Sequence, residues 1–278
     1  MHLASQISNF IAQGPLGLLF FLAAIELRSE VITGKLLNKK AVLVPLAAAI
    51  GGMIIPASIY LVLSAINHSP KAAFGIPLAT DLPLALALIA LLPKKISQEI
   101  RVFILALAIF DDLLTILILL ASGKSESLAA VIGVAIGLLT PKKLELPAAK
   151  IFTPVVNYLI IPIFLVSTFW VPWQFNNTTF SNQIFYTILL ARVIGKPIGI
   201  YLFASLAMKK LKTRPLQPSQ LLLSGLIGIM GLSVATLFTN LTTQGVQKQA
   251  ALLATLFSIL AGAFFAYLVG FVYISRHK

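Results

Sequence analysis

Long apolar runs, separated by short basic loops, recur from one end of this chain to the other. A run of about 20 apolar residues is long enough, as a helix, to cross the hydrocarbon of a bilayer. Lipid offers no hydrogen-bond partners, so each crossing segment must satisfy its own backbone, as a helix does. The chain is 59% hydrophobic and 10% charged. Soluble domains are closer to about 45–50% and about 25%. The expected fold class is therefore an all-α membrane protein, a polytopic helical bundle. It is read as a single transmembrane domain over residues 1–278.

About nine spans are predicted, at 11–27, 41–66, 72–93, 98–121, 127–140, 151–172, 183–207, 218–239 and 249–274. Sixteen of the 21 Lys and Arg residues then fall on one side of the membrane and three on the other. That split obeys the positive-inside rule, and one miscounted span would destroy it. It puts the N-terminus outside and the C-terminus in the cytoplasm. Trp170 and Trp173 mark an outer boundary. Met1–Asn9 carries no basic stretch and no small-residue cleavage site follows, so no cleaved signal peptide is expected.

Two three-helix units show a weak likeness, residues 41–121 and 183–274, with 11–27, 127–140 and 151–172 as connecting spans. Their first helices start on opposite sides, so the repeat is inverted. Each has an interrupted middle span. One contains Gly75-Ile76-Pro77-Leu78-Ala79-Thr80-Asp81-Leu82-Pro83. The other contains Gly225-Leu226-Ile227-Gly228-Ile229-Met230-Gly231-Leu232-Ser233. Paired broken spans at matching places point to a transport site.

Only eight residues are acidic, and three of these lie near the middle of a span: Asp81, Asp111 and Asp112. A charge at the bilayer centre costs about 2.5–3.5 kcal/mol even on the lenient insertion scale, so an ion or proton site is the default reading. Adjacent helical residues point about 100° apart. Asp111 and Asp112 therefore face different neighbours, one free to hold a cation while the other meets a cationic side chain. Burial and a nearby cation pull a carboxylate's proton affinity in opposite directions. A carboxylate that accepts either a proton or a hard cation such as Na⁺ or Li⁺ couples the two by competition. The bland alternative is a neutral, hydrogen-bonded Asp pair that packs helices.

Asp81 follows Thr80 in the Pro-flanked break, where it offsets the partial positive charge of a half-helix start and Thr80 supplies a hydroxyl oxygen. Lys196, in Gly195-Lys196-Pro197, is expected to pair with an aspartate of the fourth span or to offset negative half-helix ends. Arg192 lies one turn earlier and nearer the outer boundary, so snorkelling to the surface is expected of it, with a gate or an extra ion pair as the alternative. Ser233 and Asn157 are expected to make interhelical hydrogen bonds. Glu26, Arg28 and Glu30 form a cluster at the cytoplasmic mouth, with pH sensing as its functional alternative.

Other classes find little support. Cysteine is absent, and His2, His68 and His277 lie at the chain ends or in a loop. Neither a disulfide framework nor a zinc site follows. The net charge of +13 sits between apolar runs, which argues for membrane orientation and against nucleic acid. An intramembrane aspartyl enzyme needs two carboxylates converging on one water. Adjacent, splayed Asp111 and Asp112 do not offer that. No enzyme and no cofactor is expected.

Ala79-Thr80-Asp81, Ala106-Leu107-Ala108-Ile109-Phe110-Asp111-Asp112-Leu113, Gly195-Lys196-Pro197-Ile198-Gly199-Ile200 and Gly51-Gly52-Met53-Ile54-Ile55-Pro56 together resemble the NhaA sodium/proton antiporters. The match runs in order across nearly the whole chain. The resemblance implies electrogenic exchange of external H⁺ for internal Na⁺ or Li⁺ in the bacterial inner membrane, in the service of pH homeostasis. It implies Asp112 as the principal ion- and proton-binding carboxylate, with Asp111 beside it and paired to Lys196, and Na⁺ held at the two. It further implies that Asp81 and Lys196 balance the half-helix ends, and that Glu26 and Glu30 belong to a pH-sensing mouth.

The chain departs from the family pattern of twelve spans. The first span and its dimerisation hairpin have no counterpart, so the family's dimer is not expected, and two spans are missing between Ala121 and Leu128. The family's second break reads Gly-Ile-Gly-Phe-Thr-Met-Ser, and here the threonine is gone. Arg28 and Ser29 stand where the family has Lys-Arg. These departures keep a second reading open, an altered homologue with lost or changed monovalent-cation transport. Besides Na⁺, Li⁺ and H⁺, the only expected partner is membrane lipid.

Overall fold

The fold comes from a computed structural model, which describes residues 39–92, 97–121, 177–213 and 216–275, together with scattered positions between 18 and 25 and between 132 and 162. Glu26, Arg28, Glu30, Asn157, Trp170 and Trp173 lie outside the described residues, as does the side chain of Asp112. The chain divides into two units, Met1–Asn38 with Asp112–Trp170 and Lys39–Asp111 with Val171–Lys278. In the first, Phe21 meets Phe152 edge to face at 5.8 Å between centroids. Gly137 lies so close to the Phe21 carbonyl and the Ala24 side chain that a Cβ there would overlap both.

The second unit holds most of the described structure, and every described element in it is a helix. Helix α1 is Lys39–Asn67. A 3₁₀ segment, Lys71–Leu78, follows, then extended backbone at Ala79 and Asp81, then α2, Leu82–Leu91. Helix α3 is Gln98–Ala121 and runs on across the division between the units. Helix α4, Gln183–Leu190, passes through a π-helical turn, Ala191–Gly195, into α5, Lys196–Leu211. Helix α6, Pro218–Ile227, and α7, Ser233–Thr242, make the second broken span. Helix α8 is Gly245–Ser275. Val42–Asn67, Gln183–Leu211 and Gly245–Val272 are each long and apolar enough to cross a bilayer. This is an all-α membrane protein, and the described spans lie within a few residues of the predicted ones.

Local chemistry accounts for several boundaries. The Asn182 side chain accepts from the Ile184 amide at 3.2 Å and starts α4. Pro197 has no N–H to give the turn before it, and the wide π turn sits directly upstream. Gln217 and Gln220 cap α6 reciprocally, the Gln217 amide donating to Gln220 Oε1 at 2.8 Å.

Helix α1 crosses the α4–α5 helix at its glycines. A Cβ on Gly51 or on Gly199 would run into the other's carbonyl oxygen, and one on Gly195 would press on Pro56 at 3.0 Å. Between apolar helices in lipid, small residues four apart allow the close approach that van der Waals attraction needs. The contact fixes α5 against α1 and so fixes where Lys196 emerges.

The two broken spans cross each other. The Asp81 amide donates to the Met230 carbonyl at 2.5 Å, and a Cβ on Gly231 would overlap the Ala79 carbonyl. Both interruptions therefore meet at one point, within the membrane-spanning part of the unit.

Candidate functional site

A break in a membrane helix strips partners from the carbonyls that end one half and the amides that begin the next. Without water, each such group costs several kcal/mol. The crossing answers this with buried charged and hydroxyl side chains.

Lys196 serves the first break. It is fully buried at the start of α5. Its Nζ donates to the Leu78 carbonyl at the end of the 3₁₀ segment, to Thr80 Oγ1 at 2.6 Å and to Asp111 Oδ2 at 2.8 Å. The three hydrogens of an ammonium match these three acceptors. The two roles expected for Lys196 are thus filled at once, and the aspartate it meets is Asp111 on α3. Asp111 is 1% exposed.

Thr80 joins the two breaks. Its hydroxyl donates to the Gly228 carbonyl at 2.7 Å, just past the end of α6, while accepting from Lys196. Asp81 was expected to offset the start of its own half-helix. It occupies the N-cap position of α2 but makes no side-chain cap bond there. Its carboxylate reaches across the crossing to α7. Oδ2 accepts from the Leu232 and Ser233 amides at 2.7 and 2.8 Å, and Oδ1 accepts from Ser233 Oγ at 2.5 Å. An acid at a helix start is worth about 0.3–1 kcal/mol in the open and up to about 2 when partly buried. Ser233 makes the interhelical bond expected of it.

Arg192 contradicts the expectation of snorkelling. It is fully buried, and its Nη2 donates to the Ile229 and Gly231 carbonyls at 2.8 and 2.5 Å. The reason lies in the second break, whose carbonyls have no helical partner and draw the guanidinium inward. The signal was present in the sequence: two broken spans leave two carbonyl ends, and one lysine cannot serve both. Gly231 is where Arg192 and Ala79 both approach. A side chain there would meet the Ala79 carbonyl.

The structure thus brings Thr80, Asp81, Asp111 and Lys196 to one crossing. Among the described residues no cluster of three or more His, Cys, Asp or Glu side chains is placed to hold a metal ion. What the arrangement offers chemically is a buried carboxylate, a hydroxyl and broken-helix carbonyls gathered around a lysine, and these oxygens are of the kind that suits a small hard cation.

The profile of the family described as Na⁺/H⁺ antiporter 1 matches residues 1–128 and 118–274. Among curated proteins, the Na(+)/H(+) antiporter NhaA 2 of Flavobacterium johnsoniae is 27% identical, with all of this chain aligned to 81% of that protein. The Na(+)/H(+) antiporter NhaA of Cronobacter sakazakii is 28% identical over 93% of this chain and 80% of its own length. That of Nocardia farcinica is 28% identical over 95% and 78%.

Proposed function

The chain belongs to the Na⁺/H⁺ antiporter 1 family, and from that premise we propose that it exchanges internal Na⁺, or Li⁺, for external H⁺ across the bacterial inner membrane. Asp112 and Asp111 take the ion or the proton in turn. Lys196 holds Asp111 when the ion is absent, and Thr80 lends a hydroxyl oxygen. The observation that carries this reading is the buried Lys196–Asp111 pair at 2.8 Å, set where both broken spans cross. A buried ion pair replaced by apolar side chains is often no less stable, so its retention favours use over structure. Asp81 stays on the α7 amides as a fixed counter-charge. The inverted three-helix repeats, 41–121 and 183–274, are proposed to form the transport unit, each contributing one broken span to the crossing. The N-terminus faces out and the C-terminus faces the cytoplasm, following the lysine and arginine count.

The altered-homologue reading keeps one observation in its favour, the absence of the family's threonine from the second break. One experiment separates the two. Everted membrane vesicles carrying the chain are loaded with a pH-sensitive dye and given Na⁺ or Li⁺, beside Asp112→Asn. Proton flux in the wild type that vanishes in the variant supports antiport. Absence of flux from pH 6 to 9, with the protein inserted, supports altered or lost transport.

A further inference from the structure

Away from the crossing, α5 and α6 leave a groove of about 460 Å³ between them. Ile198, Tyr201 and Leu202 line it from α5, and Ser219 and Leu222 from α6. Ile198 and Leu202 are each 44% exposed and Leu222 is 41% exposed. The α4–α5 helix is long and apolar enough to cross the bilayer, and α6 is a shorter apolar helix beside it. Exposed leucine and isoleucine on such helices meet lipid tails. Pockets of ~300–1,000 Å³ hold small ligands, so the groove has room for an acyl chain.

One end of this groove is basic. Lys209 and Lys210 are exposed in the last turn of α5, and Lys212 follows as its C-cap. Lys209 comes two turns after Tyr201 and Leu202, on the same face of the helix. From Ile198 to Lys209 the helix rises about 16 Å. That is close to the depth of one leaflet in a hydrocarbon core about 30 Å thick. A lysine so placed lays its methylenes on apolar surface and sets its ammonium at the head-group level. Ser219 belongs to the first turn of α6, so the partial positive charge of that helix start lies at the same end. No acidic residue follows Glu145 in the sequence. Neither helix, nor the loop that joins them, therefore holds a carboxylate to neutralise these lysines.

We propose that this groove binds one anionic phospholipid, an acyl chain lying between α5 and α6 and the phosphate resting on Lys209, Lys210 and Lys212. Basic pockets between membrane helices are suited to head groups of negative charge. Charge and depth select the occupant together. A zwitterionic lipid brings the same chain but no net negative charge for the lysines. A free phosphate brings the charge but nothing to fill the apolar groove. The site does not depend on which ion the protein moves, so it stands or falls apart from the antiport reading.

The test uses the purified full chain in detergent, titrated with dioleoylphosphatidylglycerol or with dioleoylphosphatidylcholine. Retained lipid is counted by native mass spectrometry. The wild type should keep one phosphatidylglycerol, bound about tenfold or more tighter than phosphatidylcholine. Each lysine near a membrane surface is worth about fivefold in anionic-lipid affinity. Lys209→Gln should therefore weaken binding by about that factor, and the triple change with Lys210→Gln and Lys212→Gln should abolish the preference. Leu222→Trp keeps every lysine but fills the groove, and it should lose the retained lipid. Ile198→Trp fills it from the other helix should Leu222→Trp fail to fold. Glycerophosphoglycerol, the head group without chains, should not compete at equal concentration. Equal retention of the two lipids by the wild type would overturn the proposal, as would a triple lysine variant that binds like the wild type. Undiminished binding in the groove-filled variants would reduce the effect to surface charge and overturn it too. Competition by the chainless head group would make this a phosphate site and not a lipid site.

Discussion

The two broken spans solve one problem with different residues. In the first, the exposed carbonyl of Leu78 is met by Lys196, which also holds Asp111. In the second, the carbonyls of Ile229 and Gly231 are met by Arg192, and that of Gly228 by Thr80. The amides that open α7 are met by Asp81 from the first span. Each break is therefore completed by side chains from elsewhere, and neither is satisfied alone. The difference lies in the cation. A lysine paired to a carboxylate can exchange partners and protons, while an arginine on backbone carbonyls is a fixed fitting. On the proposed function, the first break is the one that changes state and the second the one that holds shape.

That contrast can be broken from its strongest point. Lys196→Met leaves Asp111 buried without its cation, and removal of one partner from a buried pair costs about 3–5 kcal/mol. The variant should melt far below the wild type in detergent. A melting temperature near that of the wild type would mean that the pair does not hold the first break together.

A second blow falls on the point of closest approach. Gly231→Thr puts a hydroxyl side chain into the second break, and its Cβ would overlap the Ala79 carbonyl. Overpacking of this kind costs about 1–3 kcal/mol, so the variant should lose stability. Higher stability than the wild type would show that the breaks are not in contact as described.

Thr80→Val keeps shape and removes the hydroxyl that joins the breaks. Lys196 loses an acceptor and the Gly228 carbonyl loses a donor, and a buried group left unsatisfied costs about 1–3 kcal/mol. Combined with Lys196→Met, the two losses should fall short of their sum, since both act on one network. Strict additivity in the double-mutant cycle would separate the residues. The smallest effect is expected of Ser233→Ala. It removes one bond to Asp81 while two amides remain, a loss of about 1.5 kcal/mol.

Much of this was legible in the sequence for a physical reason. Membrane helices must be long and apolar, so α1, α4–α5 and α8 could be read from their runs. Charges in lipid are expensive, so Asp81, Asp111 and Lys196 stood out at once. The breaks were legible because Gly and Pro interrupt otherwise apolar spans. Side-chain direction was not. Asp81 reads as the cap of the helix it precedes, and only the crossing reveals that it caps α7. Arg192 reads as a residue near the membrane surface because depth along a span says nothing about which face meets a bare carbonyl. The Gly51–Gly199 contact was hidden because glycines are frequent in such helices, and pairing them requires knowing which two helices touch.

The central claim is that one buried site takes Na⁺ and H⁺ in competition. The most direct measurement is proton release on Na⁺ binding to the purified chain in weakly buffered detergent, across pH 6 to 9. The account predicts that Na⁺ binds more weakly as pH falls, that protons leave as it binds, and that both signals disappear in Asp112→Asn. Na⁺ binding with no proton released at any pH would contradict it.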